Sequence, residues 1–448
     1  MQQKRLNRSK LMWQSRRAKR LRTLGLVPLL VSAMLAMLFS LLGVNLSFAQ
    51  AGTTYYVTTT GSGNACTIAS PCEWFTALDL ATDDAEIRFA QGVYNISGTI
   101  QMDEAITLLG GFDTSDWVTP NFALNETVLD GATLPAADRI MEIAAGTAVL
   151  VEGFTFQNAT TNDAFAGGAA IFSDGGEPTI RNNVFFNNSA TGNAGGAIAL
   201  QGGTTVLDQN ELYQNSTNVD GGGAIFISVG TEATISNNEI YQNTTGGSGG
   251  ALSIFNTAGF DVTLFNNLIY QNQATGGGGG IFIFSGETTL WNNTIAGNNA
   301  GGEGGGINSN GATVISNTIV VSNSTSSTIS NIFVNGGTLT GGYNNLFGGS
   351  SSATVNFTNS ITTDPQFLNF NTFNLRLSET SPNVDAGDPN TPTFVDDDID
   401  GQARPNPDGA DPTRVDVGAD EFYADVPDFE VTPVLIVDNE VEREQVAS

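Results

Sequence analysis

Glu211 and Glu239 are the residues of this 448-residue chain whose spacing most invites chemistry. Each follows an Asn in a recurring hexapeptide, NELYQN at Asn210 and NEIYQN at Asn238, so the two carboxylates hold the same place in successive repeats. If each repeat is one layer of a stacked structure, strand spacing puts them about 5 Å apart, the separation of paired carboxylates that cleave glycosidic bonds with retention. The competing reading makes them ordinary turn residues, because the matching positions elsewhere hold Val184, Leu268 and Thr294. Asp174, Asp208, Asp220 and Asp261 are further carboxylates of the same region. Elimination at a uronate would need a strong base instead. Between Leu150 and Ser350 the only basic side chain is Arg181, and no Lys follows Lys19. Tyr213, Tyr241 and Tyr270 share another register. Exposed, they would line a groove for sugar rings; turned against protein, they would form a stacked ladder.

Near the C-terminus, Asp396, Asp398 and Asp400 precede Gly401 and resemble the opening of a calcium loop. An EF-hand would carry Glu at its twelfth position, and here that position is Pro407. A looser calcium site helped by Asp408 or Asp411 stands against an acidic turn in which Arg404 pairs with one carboxylate. Cys66 and Cys72, the only cysteines, lie six residues apart in a turn-rich stretch and read as a local disulfide. Two Cys without any His make a poor zinc site.

These residues depend on a repeat for their placement. GGA[IL] or GGGI begins at Gly195, Gly222, Gly249, Gly278 and Gly304, with GGAAI at Gly167, at intervals of 26 to 29 residues. In step with it run NVFFNN at Asn183, the two Glu-bearing copies, NLIYQN at Asn267 and NTIAGN at Asn293; a weaker NTIVVSN starts at Asn317. Ile, Val, Phe, Tyr and Thr fill the runs between Gly, Asn and Ser, and no helical period is sustained. One such unit cannot bury its own apolar face, but a stack of them can. The unit is too short for a propeller blade, and its Gly runs lack the Asp of calcium-binding nonapeptides. The expected fold is therefore all-β: a right-handed parallel β-helix of three short strands and three turns per coil, running from about Tyr56 to Leu375 and closed by a small C-terminal domain. Ile198, Ile225, Leu252 and Ile281 should form one inward column. Asn183, Asn210, Asn238, Asn267 and Asn293 should form a ladder of stacked amides at a sharp corner whose left-handed backbone Asn tolerates. The Gly pairs suit positive φ and close backbone approach, not a phosphate loop, since neither a Lys nor a helix follows.

Charge bounds the partners. Of 16 Lys and Arg, nine lie in the first 22 residues, and the rest of the chain sets seven Arg against 45 Asp and Glu. A surface so acidic repels nucleic acid and anionic membranes. Neutral glycans, an envelope component or divalent cations suit it better. The basic start, the apolar run Leu24–Val44 and the small residues Ala49-Gln50-Ala51 read as an export signal; uncleaved, the same run is long enough to anchor the chain in a membrane. Either way the remainder lies outside the cytoplasm, as a secreted or cell-surface protein.

The segment TTYYVTTTGSGNACTIASPCEWFTALDL from Thr53 resembles the N-terminal cap of bacterial pectate-lyase-like β-helix proteins, with a helix near Glu73–Thr82. ITLLGGFDTSDWVTPN from Ile106 and TVLDG from Thr127 are similar to that group's first coils. The GGA[IL] and Asn motifs resemble polymorphic outer-membrane adhesin repeats in part, since only Phe185–Asn188 keeps the Phe of that motif. DPQF at Asp364, LRLSETSPNVDAG, DIDGQAR and VDVGADE resemble the choice-of-anchor Q domain that ends many exported β-helix proteins. The resemblances imply the segments 1–51 (signal or signal anchor), 52–135 (cap and first coils), 136–360 (repeats), 361–424 (choice-of-anchor Q-like domain) and 425–448 (acidic tail). They imply a scaffold that adheres or binds glycan without catalysis; the alternative on the same fold is a polysaccharide lyase or glycoside hydrolase.

Overall fold

The structure, a computed structural model, describes residues 52–423 except 165, 220, 327–329, 353, 354, 356, 408 and 410. The leader, the acidic tail, Asp220 and Asp408 lie outside the described residues.

The chain winds into a parallel β-helix. One coil shows how: Ile198–Gln201, Gly203–Asp208, Glu211–Tyr213 and the two-residue strand Ser216–Thr217 follow each other, and Ile225–Ile227 begins the next. Like strands of successive coils pair in parallel and build four sheets. Sheet I has eleven strands, from Thr54–Val57 to Thr338–Gly342; sheet II has nine, from Gly92–Asn95 to Ile319–Val321. Sheet III has seven, each of two residues, and sheet IV has nine, from Ile100–Met102 to Ile332–Val334. The expectation was three strands per coil. Sheet III is the addition, and it follows from a second Asn corner in each repeat.

That corner explains the hexapeptide. Its first Asn stands on the ladder, with side chains linked from Asn183 to Asn210 (3.2 Å), Asn210 to Asn238 (3.0 Å), Asn238 to Asn267 (3.0 Å) and Asn267 to Asn293 (2.9 Å). Its last Asn builds a second ladder through Asn188, Asn215, Asn243, Asn272, Asn298 and Asn323, with links of 3.0 to 3.1 Å. Each amide also bonds backbone: Asn238 Oδ1 accepts from Asn210 N (2.8 Å), and Asn238 Nδ2 donates to Leu207 O (2.9 Å). The left-handed backbone does not belong to the ladder residues. It belongs to the residue before each: Asn182, Gln209, Asn237, Asn266, Asn292 and Asn317, with φ between 51° and 56°. In NTIVVSN the register corrects accordingly. Asn317 takes the left-handed place, and Thr318 takes the ladder place, accepting from Asn293 N at 3.4 Å.

The Gly pair divides its work. Gly222 sits at φ 62°, and a Cβ on Gly223 would run into Gly250 O of the next coil. Inside, Ile171, Ile198, Ile225, Leu252, Ile281, Ile307 and Ile332 stack in one fully buried column of sheet IV. At the N-terminal end, helix α1 (Trp74–Leu80) lays Ala77 on the core, beside the Cys66–Cys72 disulfide, whose backbone pairs with the first strand through Tyr56 N to Cys66 O (2.8 Å). At the other end, Leu346, Val355 and Phe357 cover the last coil. The segment after residue 363 does not close that end. It folds back along the flank.

Asn238→Ala removes four side-chain hydrogen bonds, to Asn210 N, Asn210 Nδ2, Leu207 O and Asn267 Oδ1, and each buried polar group left unsatisfied costs about 1–3 kcal/mol. We expect a loss of about 3–5 kcal/mol by urea denaturation, whereas Gln242→Ala, whose side chain lies at the exposed edge of the second corner of the same coil, should cost little.

Candidate functional site

Sheet II carries the residues that the sequence marks for chemistry, and the register aligns them. Val184, Glu211, Glu239, Leu268, Thr294 and Ile319 form one outward column. Phe186, Tyr213, Tyr241, Tyr270, Ala296 and Val321 form the next. The aromatic rings stack coil upon coil, with centroids 4.8 Å apart for Phe186–Tyr213, 5.1 Å for Tyr213–Tyr241 and 4.9 Å for Tyr241–Tyr270. Phe373 of the C-terminal segment extends the stack at 5.3 Å. Glu211 and Glu239 do neighbour each other across the coils, and Tyr241 donates its hydroxyl to Glu211 Oε1 at 2.5 Å.

This side of the β-helix is covered. Leu375, Leu377, Ile399, Val417 and Ala419 pack onto the two columns. Glu211, Glu239 and the three Tyr are all buried. The Tyr therefore form a ladder under protein and not a groove. The coil corners hold the cover in place through the left-handed residues, whose side chains point outward. Asn266 Nδ2 donates to Asp397 O (2.6 Å), Asn292 Nδ2 to Asp416 O (2.8 Å), and Asn317 Oδ1 accepts from Asp388 N (2.7 Å). Ala419 N donates to Thr294 Oγ1 (3.0 Å).

Two buried Arg organise the cover. Arg376 lies in a short hairpin, Phe367–Asn369 with Asn374–Leu377. It binds Asp400 through two bonds of 2.8 Å and comes within 3.7 Å of Glu239. Arg404 binds Glu421 at 2.9 Å, with both side chains out of solvent. Sequence reasoning missed Arg376, Asp420 and Glu421; their signal was that these ionic residues sit inside otherwise apolar stretches, LRL and VGADEF.

Asp396, Asp398 and Asp400, the acidic run that the sequence offers to calcium, take the following places in the structure. Asp398 is buried and takes backbone donors: Asp400 N (2.9 Å), Gln402 N (2.7 Å) and Glu421 N (3.0 Å). Asp400 holds Arg376, and Asp396 is exposed. Asp411 accepts from Thr413 N and Oγ1. Among the described residues no three acidic, Cys or His side chains are arranged to hold a metal. Arg404 does pair with a carboxylate, but with Glu421 and not within the acidic turn. Arg181, the lone base of the coils, lies on sheet I and pairs with Glu152 at 2.9 Å.

Burial shapes the electrostatics. Burial, then the charge of Asp400, pushes Asp398 up to about 7. Burial, then Glu421, pushes Asp416 up to about 8. Asp420 is raised by burial and by Asp398, and Glu421 by burial.

No protein-family model matches this sequence, and no curated protein does. Among solved structures, the chain is similar to the pectate lyase Pel9A, with 14% identity and a TM-score of 0.44 over 84% of this chain and 97% of that one. It is also similar to a rhamnogalacturonan lyase, with 14% identity and a TM-score of 0.41 over 71% of this chain and 91% of that one. Likenesses this faint assign no activity.

Two outcomes are expected of the covered flank. Carboxyls whose folded pKa is raised bind more protons folded than unfolded, so their contribution is complete below about pH 4 and is lost as pH climbs through about 7 to 8. The melting temperature should therefore fall between pH 5 and pH 8.5; a flat or rising profile contradicts the assignment. Arg376→Ala removes the buried cation beside Asp400 and Glu239, and a broken buried pair costs about 3–5 kcal/mol. Hydrogen exchange should then accelerate in Asn374–Leu377 and Glu239–Tyr241 while the sheet IV column stays protected.

Proposed function

We propose that the protein is an exported β-helix scaffold that binds polysaccharide or an envelope component at the cell exterior without cleaving it. The carrying observation is the cover on sheet II: Glu211 and Glu239, the paired carboxylates in register with the Tyr ladder, lie beneath the C-terminal segment, out of a substrate's reach. The arginines support the same reading. Arg88, Arg139, Arg181, Arg376 and Arg404 each pair with a carboxylate, and Arg414 donates to Gly387 O at 2.7 Å. A base for uronate elimination must be unengaged and beside its substrate.

Export rests on the leader-like sequence of residues 1–51. No helix among the described residues is long and apolar enough to cross a membrane. The resemblance of 361–424 to the choice-of-anchor Q domain and of the repeats to adhesin repeats fits a surface role. The C-terminal segment then serves as a flank cover joined to whatever retention device the tail provides.

The test is a search for bond cleavage. Incubated with polygalacturonate, rhamnogalacturonan and neutral glucans, with and without calcium, the protein should release neither unsaturated products nor new reducing ends. Release that Arg181→Ala or the double change Glu211→Gln with Glu239→Gln abolishes would establish the enzymatic alternative.

A further inference from the structure

The outer row of sheet IV runs Phe172, Ala199, Phe226, Ser253, Phe282, Asn308 and Phe333, one residue per coil. Phe thus alternates with a small or polar residue. Phe on alternate coils stand two strand spacings apart, ~10 Å. Between Phe226 and Phe282, Phe255 leans in from the neighbouring row and meets them at tilted angles of 51° and 61°. A register shift in the pairing of Leu252–Phe255 with Ile281–Ser285 sets Ser285 opposite Phe255, and Phe284 stacks on the Phe255 ring at 4.6 Å. Phe284 is 50% exposed, and the other three rings are half-buried. No described segment packs over this cluster as the C-terminal segment packs over the Tyr ladder. Phe172, by contrast, is already covered by the Arg139 guanidinium, 4.8 Å from its ring.

We infer that Phe226, Phe255, Phe282 and Phe284 form a binding platform for a neutral polysaccharide. An aromatic patch on an acidic, soluble surface marks a contact site. Three observations select the occupant. From residue 182 to residue 375 the chain has no Lys or Arg, so the coils that carry the patch offer no cation to a uronate, a phosphate or a sulfate. The exposed carboxylates Asp261 and Glu287, paired across adjacent strands, stand a few residues beyond Phe255 and Phe284 and can accept hydroxyl hydrogen bonds. A second copy of this chain would bring together two surfaces of the same strong negative charge. Sugar rings carry apolar C–H faces that stack on aromatic rings, and a ~10 Å separation of platforms is one that two linked hexose units span. The inference rests on the binding role proposed above and names its site and ligand class.

The experiment is native affinity electrophoresis of the full exported chain in gels containing hydroxyethylcellulose, xyloglucan, a β-1,3-glucan or polygalacturonate. Retardation by at least one neutral glycan, none by polygalacturonate, and no loss in high salt are expected. Phe284→Ala and Phe255→Ala should each weaken retardation at least tenfold. Phe75→Ala, which alters a 48% exposed ring on α1, should leave it unchanged. Phe284 is exposed enough that its removal keeps the fold, checked by the melting temperature. Neutral-glycan binding indifferent to both Phe changes would overturn this site while leaving the binding scaffold standing. Retardation by polygalacturonate alone would overturn the neutral ligand. A dimer in sedimentation that Phe284→Ala dissolves would overturn the platform in favour of self-association. A wild-type chain that no glycan retards would overturn both readings.

Discussion

The hydrogen bond from one Asn side chain to the next coil's Asn is the contact on which the other features depend. Backbone pairing alone tolerates slippage, because any parallel register satisfies its donors and acceptors. An amide at a fixed corner does not: Asn238 must meet Asn210 on one side and Asn267 on the other, or its buried groups go unbonded. Two such ladders, one at each end of the sheet II strand, fix both the phase and the length of that strand. Every column of like residues, whether Ile in the core, Tyr on sheet II or Phe on sheet IV, exists because this phase is kept.

The cover on sheet II shows what a regular solenoid does with an apolar flank. Leu268, Ile319 and the Tyr would otherwise face water. The C-terminal segment buries them, but it brings Asp398, Asp416, Asp420 and Glu421 out of solvent with only Arg376 and Arg404 as buried cations beside them. Ionic burial of that kind is weak as a source of stability and strong as a source of geometry. Arg376 reaches one particular Glu on one particular coil, so the segment docks at a single place along a surface that repeats. Glu211 and Glu239, the two carboxylates of that column, are what distinguishes that place.

The coils were legible in the sequence and the cover was not, for a physical reason. Repeats announce themselves: Gly167 to Gly306 shows the period, and the Ile column follows from it. The second ladder was also written there, in the last Asn of each hexapeptide, and went unread because one corner seemed enough for a three-stranded coil. The separation of left-handed Asn237 from ladder Asn238 cannot be read from composition, since both are Asn; the Gln at position 209 is the hint, because Gln cannot replace the shorter amide on the ladder. The docking of residues 364–423 rests on contacts between segments far apart in the sequence, such as Asn266 with Asp397. No local pattern encodes it, so the backbone N–H groups of Asp400, Gln402 and Glu421 that Asp398 accepts could not be read from the sequence.

The two aromatic faces then differ in one respect that decides their use. On sheet II aromatic rings occupy four successive coils, from Phe186 to Tyr270, so Tyr213, Tyr241 and Tyr270 lie parallel within 2° and close each other's faces. A stack of that kind has no room for a third ring except at its end, where Phe373 sits. On sheet IV, Ser253 and Asn308 interrupt the row, and the spacing doubles. Alternation with small residues opens gaps between the rings of the row, and Phe255 leans into one of them from the neighbouring row. A fold selecting only for stability would fill successive coils, as Phe186, Tyr213, Tyr241 and Tyr270 do. The interrupted row has the form of a surface whose partner is a chain with its own repeat, and a neutral polysaccharide is such a chain.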